Sequence, residues 1–161
     1  MALLRAARQE GISTAMETCG YWPSEQADRW GELVDWFLWD LKAEPALHKS
    51  LTGVAGELPL RNLRLLHDRG VRLWVRIVLV PQVNATDGFL RHVAALAQRL
   101  ANVERFELLA YHTMGQEKYR RFGLERPSLP ARPVSQEDLS AWRRKLLGMA
   151  PSLAGRLVGC G

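Results

Sequence analysis

The stretch "RLWVRIVLVP", residues 72–81, is the clearest β-strand in the sequence, and the rest of the fold is organised around it. It is rich in β-branched and aliphatic side chains, and it ends at Pro81, which lacks the N–H that a strand ladder needs. The run "DWFLWDLK", residues 35–42, is too short for an isolated helix and rich in aromatic side chains. It therefore predicts a second strand, buried on both faces as in a parallel sheet.

Further strands and helices alternate on either side of these two. Residues 13–18 and 105–112 predict two more strands. Repeated strand–helix units with apolar strands predict an α/β fold with a parallel sheet, either doubly wound or barrel-like. Two helices are predicted at residues 2–11 and 24–33, the second with Ser24 as its N-cap. A third contains Leu60, Leu63 and Leu66 and ends at Gly70. Two more begin after N-caps at Thr86 and Ser135.

The bulk properties limit the class of protein. With 161 residues, of which 47% are hydrophobic, the chain can bury one core. The net charge of +5 comes largely from arginines scattered on predicted helices, which does not favour a nucleic-acid partner. No apolar run reaches membrane-spanning length, and Cys19 and Cys160 are too few for a disulfide framework. These properties predict a cytoplasmic domain with no membrane partner.

Polar side chains follow or interrupt four predicted strands near their carboxyl ends. In parallel α/β architectures, the loops at these ends carry the chemistry. We therefore expect a functional site among Glu17, Thr18, Asp40, Lys42, Arg76 and His112.

Arg76 is the most unusual of these residues, because the strand around it is otherwise apolar. A buried guanidinium must be paired with a carboxylate or with an anionic group of a ligand. Asp40 and Glu17 are the candidate partners within the chain. If the groups converge, the carboxylates can hold an ammonium or a metal ion, and Arg76 with Lys42 can hold a carboxylate or a phosphate. The pattern thus predicts a site for a zwitterion.

Purely structural roles remain open for the same residues. Glu17 and Thr18 can end a strand and cap a turn. Asp40 with Lys42 can form a local ion pair at a sheet edge, and Arg76 can form a structural ion pair.

Five segments also carry a family resemblance. From about residue 2 to residue 125, the chain resembles the C-terminal part of the glycyl-radical-enzyme activating proteins, which are radical S-adenosylmethionine enzymes. The best-known member activates pyruvate formate-lyase. The resemblance rests on "METCG", "LWDLK", "HKSLTGV", "VRIVLVPQVN" and "LLAYHTMGQEKYRRFGL", in this order.

The resemblance implies a fold and an activity. The fold would be a partial (β/α)6 barrel that lacks its first two strands, with residues 1–125 forming barrel strands three to six and residues 126–161 a helical extension of the same domain. Enzymes of this family use a [4Fe–4S] cluster and S-adenosylmethionine to remove a hydrogen atom from a backbone glycine. The implied partners are a glycyl radical enzyme and an electron donor such as flavodoxin or ferredoxin.

The resemblance also implies roles for the site residues. Glu17 and Thr18, with Asp40, would hold a monovalent cation near the methionine carboxylate. Arg76 would neutralise anionic groups of the ligand, so these four residues are the expected cofactor-binding set. Lys42 would face the S-adenosylmethionine or the incoming glycine loop, and His112 would line the same cavity. These last two residues are the expected catalytic pair.

Three features depart from the family pattern. The cluster-binding triplet CxxxCxxC is absent, and so is the glycine-rich "GGE" stretch. Gln82 stands where the family commonly has the glycine of "VPG". The chain therefore resembles an N-terminally truncated activase, inactive alone, with an open sheet edge that favours self-association. Two alternatives stay open: a non-catalytic half that pairs with a cluster-bearing polypeptide, and an unrelated small α/β enzyme that uses Lys42.

Overall fold

A computed structural model describes residues 1–112, 116–124 and 131–159 of the chain, without the side chains of residues 116 and 117. Its helices are α1 (Ala2–Gln9), α2 (Ala27–Leu33), α3 (Pro45–Thr52), α4 (Glu57–Asp68), α5 (Asp87–Arg99), α6 (Gln116–Arg121) and α7 (Gln136–Met149). Its strands are β1 (Ala15–Thr18), β2 (Trp36–Leu41), β3 (Leu73–Leu79), β4 (Arg105–Ala110) and β5 (Leu157–Gly159). Short helical turns at Ser24–Gln26 and Pro151–Leu153 complete the secondary structure of this part of the chain.

The described strands form one parallel sheet in the order β1-β2-β3-β4-β5. Each strand from β2 to β5 pairs with the strand that precedes it in sequence, and at least one helix connects each such pair. The register brings Asp40 of β2 opposite Arg76 of β3, and Arg76 opposite Glu107 of β4. The predicted α/β fold with a parallel sheet is confirmed, and the sequential strand order is that of a barrel segment.

The core lies on one face of the sheet. Phe37, Trp39 and Ile77 are fully or almost fully buried there, and they pack against side chains of α2, α4, α5 and α7. Burial alternates along β2 and β3, so Trp36 and Trp74 on the opposite face are only partly buried. The prediction that the "DWFLWDLK" strand is buried on both faces is therefore wrong, because the helices that build the core cover a single face.

Two arginine–tryptophan stacks cover the amino ends of the strands on this open face. The Arg72 guanidinium lies 3.6 Å from the ring centroid of Trp36, and that of Arg105 lies 4.0 Å from the ring centroid of Trp74. Arg72 also donates two hydrogen bonds to the carboxylate of Glu104. These contacts place two guanidinium groups over aromatic rings at the amino ends of the strands.

Most predicted elements agree with the structure within two residues. The cap at Thr86 is confirmed, since its Oγ1 accepts the N–H of Phe89 at 3.0 Å. The cap at Ser135 is confirmed as part of a capping box with Asp138. The predicted cap at Ser24 is wrong, because its hydroxyl donates to another side chain instead. Helices α3 and α6 and strand β5 were not predicted.

Strand β5 is added to the sheet by the segment that follows α7. The N–H of Phe106 donates to the Arg156 carbonyl oxygen at 2.9 Å, which begins the β4–β5 pairing. The Arg156 guanidinium donates to the carbonyl oxygens of Ala97, Leu100 and Val103, at or just beyond the C-terminal end of α5. This arginine therefore fixes β5 against α5. No helix in the described ranges is long and apolar enough to cross a membrane.

Candidate functional site

Arg76 is the centre of a charged cluster on the open face of the sheet. Its Nε lies 2.8 Å and its Nη2 2.6 Å from Oδ1 of Asp40, and Nη2 also lies 2.5 Å from Oε1 of Glu17. Only 12% of the Arg76 side chain is exposed. Both carboxylates that the sequence offered as partners therefore contact this guanidinium, so the buried charge is compensated.

Asp40 extends the cluster to Lys42. Its Oδ2 lies 3.5 Å from Lys42 Nζ, while its Oδ1 is held by Arg76. Asp40 and Lys42 share a face because side chains alternate along β2 and its continuation. We call Glu17, Asp40, Lys42 and Arg76 the charged cluster.

The charges of the cluster support each other. Hydrogen bonding to Arg76, helped by its charge and that of Lys42, lowers the pKa of Glu17 against the opposing effect of desolvation. The same hydrogen bond and the contacts with Asp40 raise the pKa of Arg76. The guanidinium therefore stays charged, and Glu17 is ionised at neutral pH.

Glu107 adds a further carboxylate that sequence reasoning missed. It is opposite Arg76 in the β3–β4 register, on the same face of the sheet, and only 7% of it is exposed. The signal was present in "RFELLAYH", where Arg105, Glu107 and Leu109 alternate with buried residues. Its Oε1 lies 3.6 Å from Nη2 of Arg105, so this carboxylate is paired with a cation of its own strand.

Thr18 belongs to the turn after β1. It is opposite Trp39 in the register, whereas Glu17 is opposite Leu38, so the two neighbours point to different faces of the sheet. The Thr18 hydroxyl accepts the N–H of Gly20 at 2.9 Å. This contact is the turn-capping role that was left open as an alternative for Thr18.

The turn after β1 requires a glycine at position 20. Its φ is +77°, and a Cβ atom at this position would lie 2.0 Å from the indole ring of Trp39. Buried Asn62 of α4 holds the same turn, since its Nδ2 donates to the carbonyl oxygens of Gly20 and Trp22 at 2.8 and 2.7 Å. Its Oδ1 accepts the hydroxyl of Ser24. Sequence reasoning missed Asn62, because no local pattern indicates contacts with a residue some forty positions away.

His112 lies apart from the charged cluster. It is exposed, two residues beyond the end of β4. In the described part of the chain, no hydrogen bond or ion pair joins it to Arg76 or Asp40. His112 lines a cleft of about 500 Å³ together with Val78, Leu109, Ala110, Tyr111, Pro133, Val134, Gln136 and Leu139. Residues 113–115 of the motif that follows it lie outside the described ranges.

The relatives of the chain share one activity class. The chain is 38% identical over 141 residues to the choline trimethylamine-lyase activating enzyme of Oleidesulfovibrio alaskensis, covering 85% of this chain and 46% of that protein. It is 35% identical over 144 residues to the pyruvate formate-lyase-activating enzyme of Streptococcus mutans, covering 85% of this chain and 55% of that protein. The chain belongs to the family of glycyl-radical-enzyme activating enzymes. It spans about half the length of the curated relatives it matches.

Solved structures agree with this membership at the level of the fold. A domain of a pyruvate-formate lyase-activating enzyme from Bacteroides vulgatus superposes with a TM-score of 0.75 at 22% identity, covering 99% of this chain and 88% of that one. A radical SAM methyltransferase from Sphaerobacter thermophilus gives a TM-score of 0.62 at 18% identity, covering 94% of this chain and 41% of that one. No protein-family model matches the chain.

Membership in the activating-enzyme family bears on the alternative that Lys42 serves an unrelated small α/β enzyme. An unrelated small α/β enzyme is excluded as an alternative by the relatives at 30–38% identity. The charged cluster is therefore a feature of an activating-enzyme chain.

Proposed function

We propose that this chain supplies the S-adenosylmethionine-binding strand ends of a glycyl-radical-enzyme activating enzyme. The full enzyme would cleave S-adenosylmethionine reductively and remove a hydrogen atom from a backbone glycine of a glycyl radical enzyme, with flavodoxin or ferredoxin as electron donor. The observation that carries the proposal is the contact of Arg76 with both Glu17 and Asp40 at the carboxyl ends of β1–β3, in a chain of this family.

The charged cluster fits the amino-acid end of S-adenosylmethionine. This end carries a carboxylate and an ammonium, which need a cation and an anion at short distance from each other. Arg76 and Lys42 offer the cations, and Glu17 and Asp40 offer the anions. Lys42 is the more accessible of the two cations, with 39% of its side chain exposed, so we assign it the direct contact with the ligand or the glycine loop.

The cleft beside His112 fits the nucleoside end of the same ligand. Its walls are mainly aliphatic, with Tyr111 and His112 as the aromatic members, and its volume of about 500 Å³ suits a purine and a ribose. Val78 of β3 lines this cleft and lies two residues beyond Arg76 on the same face of the strand. One ligand could therefore extend from the charged cluster to His112.

A monovalent cation is a further proposed component of the site. Carboxylate oxygens are suitable ligands, and Glu17 and Asp40 would supply them beside the ligand carboxylate. The Thr18 hydroxyl, expected as a third ligand, faces the other side of the sheet and caps the turn at Gly20, so it is left out of the proposed site. In the described part of the chain, no three His, Cys, Asp or Glu side chains lie close enough to share a metal ion. Arg76 holds one oxygen of each carboxylate, and Lys42 lies 3.5 Å from Oδ2 of Asp40. Such a cation would therefore use the second oxygen of Glu17 and share Oδ2 of Asp40 with Lys42.

The residues of this chain do not fit a [4Fe–4S] cluster. Such a cluster needs at least three thiolates in this family, and the sequence contains two cysteines, Cys19 and Cys160, without the CxxxCxxC spacing. We propose that the cluster is held by a segment or a second polypeptide that pairs with the outer edge of β1. Among the described strands, β1 pairs with β2 alone, which leaves its other edge available.

Ligand-dependent thermal unfolding tests the proposed function. S-adenosylmethionine should raise the unfolding temperature of the unaltered chain, because a ligand that binds only the folded state stabilises it. The shift should be lost in Arg76→Gln and kept in Arg72→Gln, a matched arginine at the opposite end of the sheet. Equal shifts in both variants would contradict the proposal, and so would the absence of a shift in the unaltered chain.

A further inference from the structure

Asn84 is a buried asparagine that joins the ends of β2 and β3. It lies in the loop after β3, and only 3% of it is exposed. Its Nδ2 donates to the carbonyl oxygens of Lys42 at 2.6 Å and Val78 at 2.7 Å, and its Oδ1 accepts the N–H of Val80 at 2.7 Å. Both amide hydrogens and the side-chain oxygen are therefore bound to backbone groups.

These contacts lie where the sheet ladder stops. The β2–β3 register ends with Leu41 opposite Ile77, so Lys42 and Val78 are the next residues on the two strands. The Asn84 amide connects the carbonyl oxygens of these two residues and extends the connection between the strands by one position. The backbone of Lys42 is thus fixed relative to β3 although Lys42 is outside the strand.

The loop that carries Asn84 is wound tightly to aim this side chain inward. The Val80 carbonyl oxygen accepts the N–H groups of Val83, Asn84 and Ala85 at 3.1–3.2 Å. Gln82 adopts a φ of +63°, which costs free energy for a residue with a Cβ atom. A costly conformation persists where the surrounding contacts require it, and here they direct Asn84 toward Lys42.

We propose that Asn84 is a positioning residue for Lys42. By fixing the Lys42 backbone, it keeps the ammonium 3.5 Å from Oδ2 of Asp40, on the side of the sheet where the ligand binds. The role of Lys42 toward the ligand rests on the proposed function. The effect of Asn84 on the orientation of Lys42 is a property of the chain itself.

Competitive lysine labelling tests this inference on the full chain. An amine-acetylating reagent at low conversion, read out by mass spectrometry, gives the labelling rate of Lys42 relative to exposed Lys49. Asn84→Asp removes both donors and sets a carboxylate against two carbonyl oxygens. Asn84→Ser keeps a small polar group. Asn62→Asp is the matched control, because it removes the same kind of donors from another buried asparagine, in α4, that binds backbone carbonyl oxygens.

The Lys42-to-Lys49 ratio should rise about threefold in both Asn84 variants, the size expected for loss of a half-exposed ion pair. It should stay unchanged in Asn62→Asp. Circular dichroism verifies that each variant is folded. If Asn84→Asp does not fold, the labelling ratio of Asn84→Ser alone is used to test the inference. An unchanged ratio in the folded Asn84 variant overturns the inference, and so does an equal rise in Asn62→Asp, which would indicate general loosening.

Adding S-adenosylmethionine separates this inference from the proposed function. Protection of Lys42 in the unaltered chain supports the proposed function. If the ratio rises in the Asn84 variants but the ligand gives no protection, the positioning role stands and the proposed function fails. If the ligand protects Lys42 and the ratio does not rise, the positioning role fails and the proposed function stands.

Discussion

Arg76 lies directly opposite Asp40 in the β2–β3 register, and its Nε donates to Asp40 Oδ1 across 2.8 Å. This pair is mostly buried, with 12% of the Arg76 side chain and 16% of the Asp40 side chain exposed. Glu17 from the neighbouring strand reaches the same guanidinium from the edge of the sheet. Three adjacent strands are thereby connected through one side chain at their carboxyl ends.

Replacing Arg76 should destabilise the fold as well as the site. Arg76→Gln leaves the Asp40 carboxylate without its main partner, and breaking a mostly buried pair costs about 2 to 4 kcal/mol in the free energy of unfolding. Urea denaturation followed by circular dichroism measures this cost. Arg72→Gln is the control, because its pair with Glu104 is exposed and should contribute less. Equal losses in the two variants would show that the cluster is not the stronger contact.

Stability should fall in acid partly through Glu17. Its pKa is lower in the folded chain than the ordinary value of 4.5, mainly because Arg76 donates a hydrogen bond to it. The stabilisation is therefore present above pH 4.5 and is lost as the pH falls through the lowered folded value. Urea denaturation between pH 6 and pH 3 should show a smaller acid-dependent loss in Glu17→Gln. The same loss in both proteins would refute this assignment.

Gln82→Gly should stabilise the chain. The replaced residue has a φ of +63°, a conformation in which glycine avoids the Cβ clash, so relief of about 1 kcal/mol is expected. The melting temperature should rise by a few degrees, at the scale of about 2 to 4 °C per kcal/mol for a domain of this size. Ala95→Gly is the opposite control: it is exposed in the interior of α5 and should lose about 1 kcal/mol. A lower melting temperature for Gln82→Gly would contradict the interpretation.

Gly20→Ala should be strongly destabilising. The added Cβ atom would lie 2.0 Å from the Trp39 ring, and the residue would keep a φ of +77°. Overpacking and the left-handed backbone together predict a loss of about 3 kcal/mol. Gly148→Ala, in α7 with nothing within 4 Å of the new atom, should be neutral or gain up to about 1 kcal/mol. Chemical denaturation of the two variants side by side gives the comparison, and a mild effect at Gly20 would contradict the packing argument.

The sequence predicts β2, β3 and β4 well because each is a compact, mainly apolar run. Strand β5 escapes prediction because it has only three residues and is stabilised by Arg156, whose partners lie at or just beyond the C-terminal end of α5, far away in sequence. The exposure of one sheet face also escapes prediction. The apolar side chains of Trp36 and Trp74 look like core residues, and only the arrangement of the helices reveals that they lie on the opposite face and are partly exposed.

The candidate site, like the sheet, is predicted only in part from the sequence. Charged residues inside or just after apolar strands stand out in the sequence, so Arg76, Asp40 and Glu17 were identified before the contacts were known. Asn62 and Asn84 were not identified, because asparagine is common in loops and helix surfaces and its partners here are distant backbone groups. Charged side chains in apolar strands can be recognised from the sequence pattern, whereas asparagines that bind distant backbone groups can be recognised only from the fold.

Isothermal titration calorimetry with two ligands shows most directly whether the charged cluster binds S-adenosylmethionine. S-adenosylmethionine carries the amino-acid end that the charged cluster would bind, and 5′-methylthioadenosine lacks it. We expect Arg76→Gln to weaken binding of S-adenosylmethionine by at least about tenfold, the size of effect for loss of a charge-assisted contact, while 5′-methylthioadenosine binds both proteins alike. Equal affinity of the unaltered chain and Arg76→Gln for S-adenosylmethionine would contradict the assignment of this cluster as its binding site.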